Sequence, residues 1–439
     1  MTKISVLRNT TEEVADRLSR LADPSILGLP RPVVHEAITL GSGYSGIALA
    51  LLHASHALGR SDLVDPARAL LRQAADSTAL RPADRLGLYN GYAGFAWAVT
   101  EFAVCEPRYL PTLSRTAGNL GTLLGSTALR EPGTGVPFEA YDVIAGVAGQ
   151  LTALLRAYAV LPDPPLVLTE AATRLTAYLM RLTDVDDVGR HGWYVAPRFC
   201  SPDVRERSPH GLYNLGLAHG IPGVLAALCA AAHSGVGGRE VRERVREIAL
   251  WLCTHRLAET VGPDWPVWLD ASAAQHVPVR SSDAPAARTA WCYGSPGIAM
   301  VLLSAAALTG TAEPADTAVA ALRRVMAAGV RERDVFAPTL CHGHAGLAAV
   351  FQRAWRVTGL TEFQAARDAS VNEVLALADP RRPYVLADRR EVGRLVDDPG
   401  FLMGAAGVLS VLSGALSTAV CTWEDVLFLA PCLSVRNLL

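Results

Sequence analysis

Seven times along this chain a Gly-x-x-Gly sequence opens a run of apolar residues at helical spacing, at intervals of roughly 50 to 75 residues. The glycine pairs are Gly43/Gly46, Gly91/Gly94, Gly146/Gly149, Gly220/Gly223, Gly294/Gly297, Gly343/Gly346 and Gly404/Gly407. Beyond the second glycine, Ile47 and Leu51, Val224 and Leu228, Ile298, Val301 and Leu302, Leu347, Val350 and Phe351, and Val408, Val411 and Leu412 recur with the period of a helix. Segments this apolar are expected inside the protein. Each is preceded by a more charged amphipathic stretch, clearest in residues 12–21, 65–75, 168–182, 239–257, 316–328 and 362–377.

An inner helix can bury its apolar surface only against neighbouring inner helices and an outer partner, so seven such pairs imply two concentric layers. The expected fold is all-α: an α/α toroid, a double-layered barrel of seven inner and seven outer helices, with residues 1–439 as one domain. Glycines at the turns let the inner helices start close to the axis, with their N-termini gathered at one end. Two connections, residues 183–214 and 260–287, are too rich in Pro, Gly and charge to continue a helix and are expected as insertions over the rim.

The 439 residues carry 40 basic and 42 acidic side chains without a Lys/Arg block, which speaks against a nucleic-acid partner. The opening Met-Thr-Lys-Ile-Ser-Val-Leu-Arg lacks the apolar core of a signal peptide, and no apolar run reaches the ~20 residues that span a bilayer. A cytoplasmic protein without membrane insertion is expected. Eight cysteines without regular spacing fit buried thiols, metal ligands or catalysis better than disulfides. Cys105, Cys229, Cys253, Cys421 and Cys432, set among apolar neighbours, read as inert core residues.

Four repeats carry reactive side chains at the turn where the others have bland ones: Asp142, His219, Cys292 and the adjacent Cys341-His342. If the repeats superpose, Cys292, Cys341 and His342 come from neighbouring helix starts and meet at one mouth. Two thiolates and an imidazole suit zinc, and three protein ligands leave the open fourth position of a catalytic site. Helix N-termini also favour the thiolate form. On residue types alone a second reading stands beside this one, in which both cysteines are packed thiols and His342 caps a helix start.

The chain resembles the lanthionine synthetase C-like family through Leu217-Ala-His-Gly-Ile-Pro-Gly223, Trp291-Cys-Tyr-Gly-Ser-Pro-Gly297, Cys341-His-Gly-His-Ala-Gly-Leu347 and Tyr141-Asp-Val-Ile-Ala-Gly-Val-Ala-Gly149. The resemblance extends over essentially the whole chain. It implies an α/α toroid with one Zn2+ on Cys292, Cys341 and His342, and places further active-site residues at His219, Asp142, Arg288 and Tyr293. It implies a lanthipeptide cyclase acting on a dehydrated precursor peptide, with a separate dehydratase, an export transporter and a membrane-associated biosynthetic complex as candidate surroundings.

Under that implication a substrate cysteine, held as thiolate, attacks the β-carbon of a dehydroalanine or dehydrobutyrine. His219, as imidazolium, protonates the α-carbon or stabilises the enolate, since an imidazole titrates near neutrality. Arg288 could pin the enolate oxygen and Asp142 could orient His219 or take the thiol proton. Without the resemblance, Arg288 and Asp142 read as a surface ion pair and a helix cap, Tyr293 as a packed ring, His344 as a supporting or core residue and Trp291 as core. Two further readings use the same fold: a zinc thiol transferase that joins glutathione or another thiol to dehydrated proteins, and a non-catalytic zinc-containing peptide-binding toroid.

Overall fold

In a computed structural model, the chain is described at residues 3–78, 85–257, 262–272, 274, 279–280, 285, 288–328, 334–390, 393–417, 422–428 and 435–438. Each Gly-x-x-Gly opens an inner helix, with its first glycine as the extended or unwound residue before the first turn. The seven are α2 (Tyr44–Leu58), α4 (Tyr92–Cys105), α6 (Val147–Val160), α9 (Ile221–His233), α11 (Ser295–Thr309), α13 (His344–Thr358) and α15 (Ala405–Leu416). They are covered nearly all round; in α9 every residue from Ile221 to Ala232 is buried.

The outer layer is α1 (Lys3–Ser19), α3 (Val64–Thr78), α5 (Leu110–Ser126), α7 (Leu166–Leu182), α10 (Gly238–Thr254), α12 (Ala312–Ala327) and α14 (Thr361–Ala376). These bury one stripe each, as with Val241, Val245, Ile248, Ala249, Leu252 and Cys253 of α10. The last inner helix packs on the first, which closes the toroid. No described helix is long and apolar enough to cross a membrane.

Closure is written in the turns as well. The residue three before each first glycine packs over the second glycine of the next repeat, around the whole ring: Leu40 over Gly94, Leu88 over Gly149, Val143 over Gly223, Leu217 over Gly297, Trp291 over Gly346, Leu340 over Gly407 and Phe401 over Gly46. A Cβ on Gly149 would stand 2.1 Å from the Val143 carbonyl oxygen and 2.7 Å from Leu88 Cβ, so no side chain fits. Backbone hydrogen bonds form a second closed ring one residue further on, and each donor serves the next turn: Gly41 to Tyr89 (2.8 Å), Tyr89 to Ile144 (3.1 Å), Val143 to Ala218 (3.0 Å), Ala218 to Cys292 (3.1 Å), Cys292 to Cys341 (3.3 Å), Cys341 to Leu402 (2.9 Å) and Leu402 to Gly41 (2.9 Å). The carbonyls and N–H groups at the centre thereby satisfy one another without water.

The two rim insertions meet each other. β1 (Leu212–Asn214) ends the first and pairs antiparallel with β2 (Trp268–Asp270) in the second, Tyr213 opposite Leu269. Much of 260–287 lies outside the described residues. The first insertion carries the short helix α8 (Pro202–Arg207) and is anchored to the outer layer where His191 stacks on Trp193 at 4.0 Å and Trp193 meets Trp251 of α10 edge to face at 5.6 Å. A third excursion, between α14 and α15, carries a hairpin of β3 (Asp388–Arg389) and β4 (Leu395–Val396) that the sequence pattern did not announce.

Of the cysteines expected in the core, Cys229 and Cys253 are buried, whereas Cys105 is exposed because it is the last residue of α4, beyond the packed layer. Cys421 and Cys432 lie outside the described residues.

Candidate active site

The metal-binding candidates converge because the ring hydrogen bond from Cys292 N to Cys341 O joins their turns side by side. The two Sγ atoms and a ring nitrogen of His342 all lie within 4.8 Å of one another, with Cys292 buried and Cys341 and His342 half-buried. Sulfur ligands at ~2.3 Å on a tetrahedral zinc stand about 3.8 Å apart, so a movement of about an ångström completes the cage. A Cys2His donor set matches a borderline-soft dication and leaves room for a fourth ligand. His344 opens α13, is buried, and stands outside this trio.

The Cys341 thiol donates a hydrogen bond to the Cys292 sulfur, and His342 and Arg288 add positive charge, which together bring Cys292 down to about 5 against the penalty of burial. Cys341 is pushed well up by the same bond and by burial.

One turn away stands an acid–base pair. Asp142 is wholly buried, and its Oδ1 accepts hydrogen bonds from the N–H groups of Ala145 (2.7 Å) and Gly146 (2.8 Å), which holds the turn that leads into α6. Its Oδ2 lies 2.6 Å from His219 Nδ1, which fixes the ring and leaves Nε2 as the nitrogen turned away from the carboxylate. Asp142 thus ties its own turn together and pairs with His219, whereas the helix cap that residue type alone suggested is not formed, since Gly146 stands at the N-cap without a side-chain partner. Ala218, beside His219, is bonded in the ring to Cys292, which brings this turn next to the two sulfurs.

Tyr293 follows Cys292, and its ring centroid lies 6.0 Å from that of His219. Its hydroxyl accepts a hydrogen bond from Asn214 Nδ2 at 3.1 Å, and burial pushes its pKa up to about 12. Arg288 is exposed at the edge of the second insertion. Its carbonyl crowds Gly294, where a Cβ would stand 1.6 Å from the oxygen, and Gly294 adopts φ 95°. Only glycine permits that turn, which returns the chain from Arg288 to Cys292. Asn214 and Phe138, whose ring meets His219 edge to face at 5.0 Å, complete the surroundings and were not anticipated. Their place depends on contacts between repeats, for which one sequence carries no signal.

Residues 36–428 match the family described as lanthionine synthetase C-like protein. Nisin biosynthesis protein NisC of Lactococcus lactis subsp. lactis is 25% identical over 339 residues, covering 74% of this chain and 73% of that protein. A solved structure of nisin cyclase superposes with a TM-score of 0.76 at 21% identity, covering 97% of this chain and 98% of that one, and shares the α/α toroid. A sugar epimerase from a ruminal bacterium reaches a TM-score of 0.47 at 11% identity over 96% of this chain and 100% of that one.

Proposed function

The chain belongs to the lanthionine synthetase C-like family, and from that premise we propose that it is a zinc-dependent lanthipeptide cyclase, adding a peptide's cysteine thiol across the double bond of a dehydroalanine or dehydrobutyrine in the same peptide. Cys292, Cys341 and His342 would hold the metal. Zinc bound there supplies an open position at which a substrate thiol is kept as thiolate at neutral pH.

The remaining chemistry falls to side chains. A new C–S bond forms at the β-carbon, the alkene electron pair moves through the α-carbon to the carbonyl oxygen, and the α-carbon then takes a proton. The substrate thiol loses its proton as the thiolate forms, and His219 Nε2, its ring held at Nδ1 by Asp142, delivers one to the α-carbon as imidazolium, so that protons balance. Arg288 offers positive charge to the enolate oxygen, and the Tyr293 hydroxyl, held by Asn214, keeps its proton and can donate to the same oxygen. Thiol and alkene are both consumed and no atom leaves, so mass is unchanged. A separate dehydratase must supply the alkene. A cytoplasmic location, alongside that dehydratase and an exporter, belongs to the same proposal.

The observation that carries the reading is the Asp142–His219 pair at 2.6 Å on the turn next to the Cys292, Cys341 and His342 group. A metal cage without acid–base machinery would suit a merely binding toroid. The test is a dehydrated, cysteine-containing peptide incubated with protein of known metal content. Loss of free thiol at constant peptide mass is expected with wild type, none with His219→Gln despite stoichiometric zinc, and loss of zinc with Cys292→Ala. Thiol consumed only when glutathione is added, with a matching mass gain, would favour the thiol transferase. Thiol persisting throughout would favour binding alone.

A further inference from the structure

Beneath the ring of turns lies a segment that belongs to none of the seven repeats. After α15 the chain places Trp423, Glu424 and a short helix, α16 (Asp425–Phe428), inside the inner layer; Trp423, Glu424, Val426, Leu427 and Phe428 are all 2% exposed or less. Charge holds the segment there. Arg353 of α13 pairs with Asp425 at 2.6 Å and with Glu424 at 3.7 Å, and Arg356 pairs with Glu424 at 2.7 Å. Removing one partner of such a pair strands a buried charge, so the segment is not free to leave.

Its tip touches the turns from below. The Val426 carbonyl accepts the Tyr89 hydroxyl at 2.8 Å and the Leu427 carbonyl accepts the Trp291 indole N–H at 3.0 Å. The two rings meet edge to face at 5.8 Å. Trp291 is covalently next to Cys292, and its Cβ lies 3.7 Å from the place of a Cβ on Gly346, in the turn that carries Cys341 and His342. It therefore fills the space between the two ligand-bearing turns. Those turns are joined by the longest bond of the backbone ring, 3.3 Å from Cys292 N to Cys341 O. The weakest step is the one where ligand spacing matters, and there the side chain is braced from outside the repeats.

We propose that the C-terminal segment, through Leu427 and Trp291 with Tyr89 beside it, sets the spacing of the Cys292 and Cys341 turns and so the metal affinity of the centre. Trp291 and Tyr89 are positioning residues that touch neither metal nor peptide. The proposal rests on the metal-binding reading of the trio and goes beyond it by assigning a role to a segment more than 80 residues away in sequence from the nearest ligand.

The test uses full-length Trp291→Phe and Tyr89→Phe, which keep an aromatic ring and remove the donors, with Ile248→Val in the outer helix α10 as a control that loosens the core away from the tip. Zinc affinity is read by competition with a chelator, and ligand geometry by the visible absorption of the Co2+-substituted protein. Trp291→Phe is expected to weaken zinc about tenfold, the scale of lost support around metal ligands, and to shift the Co2+ bands. Tyr89→Phe should move both readouts less and in the same direction, and Ile248→Val should lower Tm while moving neither. Wild-type affinity and spectrum in both aromatic variants would overturn the proposal, and Tyr89→Phe alone decides it if Trp291→Phe does not fold. A wild type that binds no metal would sink the centre itself; metal bound equally by wild type and variants would sink only the positioning role.

Discussion

Asp142→Asn separates the two tasks of this carboxylate. An asparagine keeps an oxygen for the Ala145 and Gly146 N–H groups, now 2.7 and 2.8 Å from Asp142 Oδ1, so the turn that leads into α6 should survive. It presents an amide to His219 Nδ1 in place of the anion at 2.6 Å. A charge-assisted hydrogen bond contributes about 1.5–3 kcal/mol. A unit charge pair about 4 Å apart at an effective dielectric constant near 20 gives about 4 kcal/mol as the upper limit. Loss of about 2–4 kcal/mol of imidazolium stabilisation corresponds to a rate lower by roughly 30- to 1000-fold. Ring closure would be followed as thiol loss in a dehydrated peptide at saturating substrate, with zinc content and Tm measured on the same samples. Zinc and Tm should stay near wild type, whereas Asp142→Ala should lower Tm as well, because it also strands the Ala145 and Gly146 N–H groups. A rate within threefold of wild type in Asp142→Asn would refute the orienting role, as would a full rate loss accompanied by loss of zinc.

Two stability measurements address the scaffold. Gly149→Ala should destabilise by 1–3 kcal/mol or more, because its Cβ would meet the Val143 oxygen at 2.1 Å, whereas Gly125→Ala near the end of α5, where nothing lies within 4 Å, should stabilise by about 0.5–1 kcal/mol; urea midpoints of equal sign would contradict the ring packing. Burial holds His53 down to about 3 against an ordinary 6.5. Folding therefore favours its neutral form, and its contribution is intact above pH 6.5 and lost as pH falls toward the folded value, at about 1.4 kcal/mol per unit. The stability of His53→Leu should fall less steeply than that of wild type between pH 6 and 4.5, and parallel curves would remove His53 from the account.

The toroid was legible because its repeat writes the same glycines and the same helical period into every copy, and because helix N-termini at equal depth bring residues of equal repeat phase together. That is why Cys292, Cys341 and His342 could be grouped from positions some 50 residues apart. Where an element departs from the pattern the sequence falls silent. Helix α5 has one charged residue, Arg115, so the contrast between oily and charged stretches that marks six outer helices does not mark it. The β1–β2 pairing joins two insertions across the rim, and three-residue strands carry too little periodicity to be seen. Residues 422–428 have no glycine turn and only a four-residue helix, so nothing in their order points to the inside of the toroid.

The backbone ring also bears on why the acid–base pair sits where it does. Six of the seven steps run between the residues two before the first glycine; between the third and fourth turns the donor is Val143, one residue earlier, so the register slips by one. That slip draws the third turn along its neighbour toward its own N-terminal side, where Asp142 stands. A carboxylate four residues before the glycine can then hold its own turn with one oxygen and reach His219 on the next turn with the other. The turns that hold register carry their reactive groups at the last two positions before the glycine, as Cys292-Tyr293 and Cys341-His342 do. Reactive side chains occupy four consecutive turns, the third to the sixth, and the site is therefore eccentric: under the proposed function, a peptide lying across that arc would meet His219 and the two sulfurs side by side.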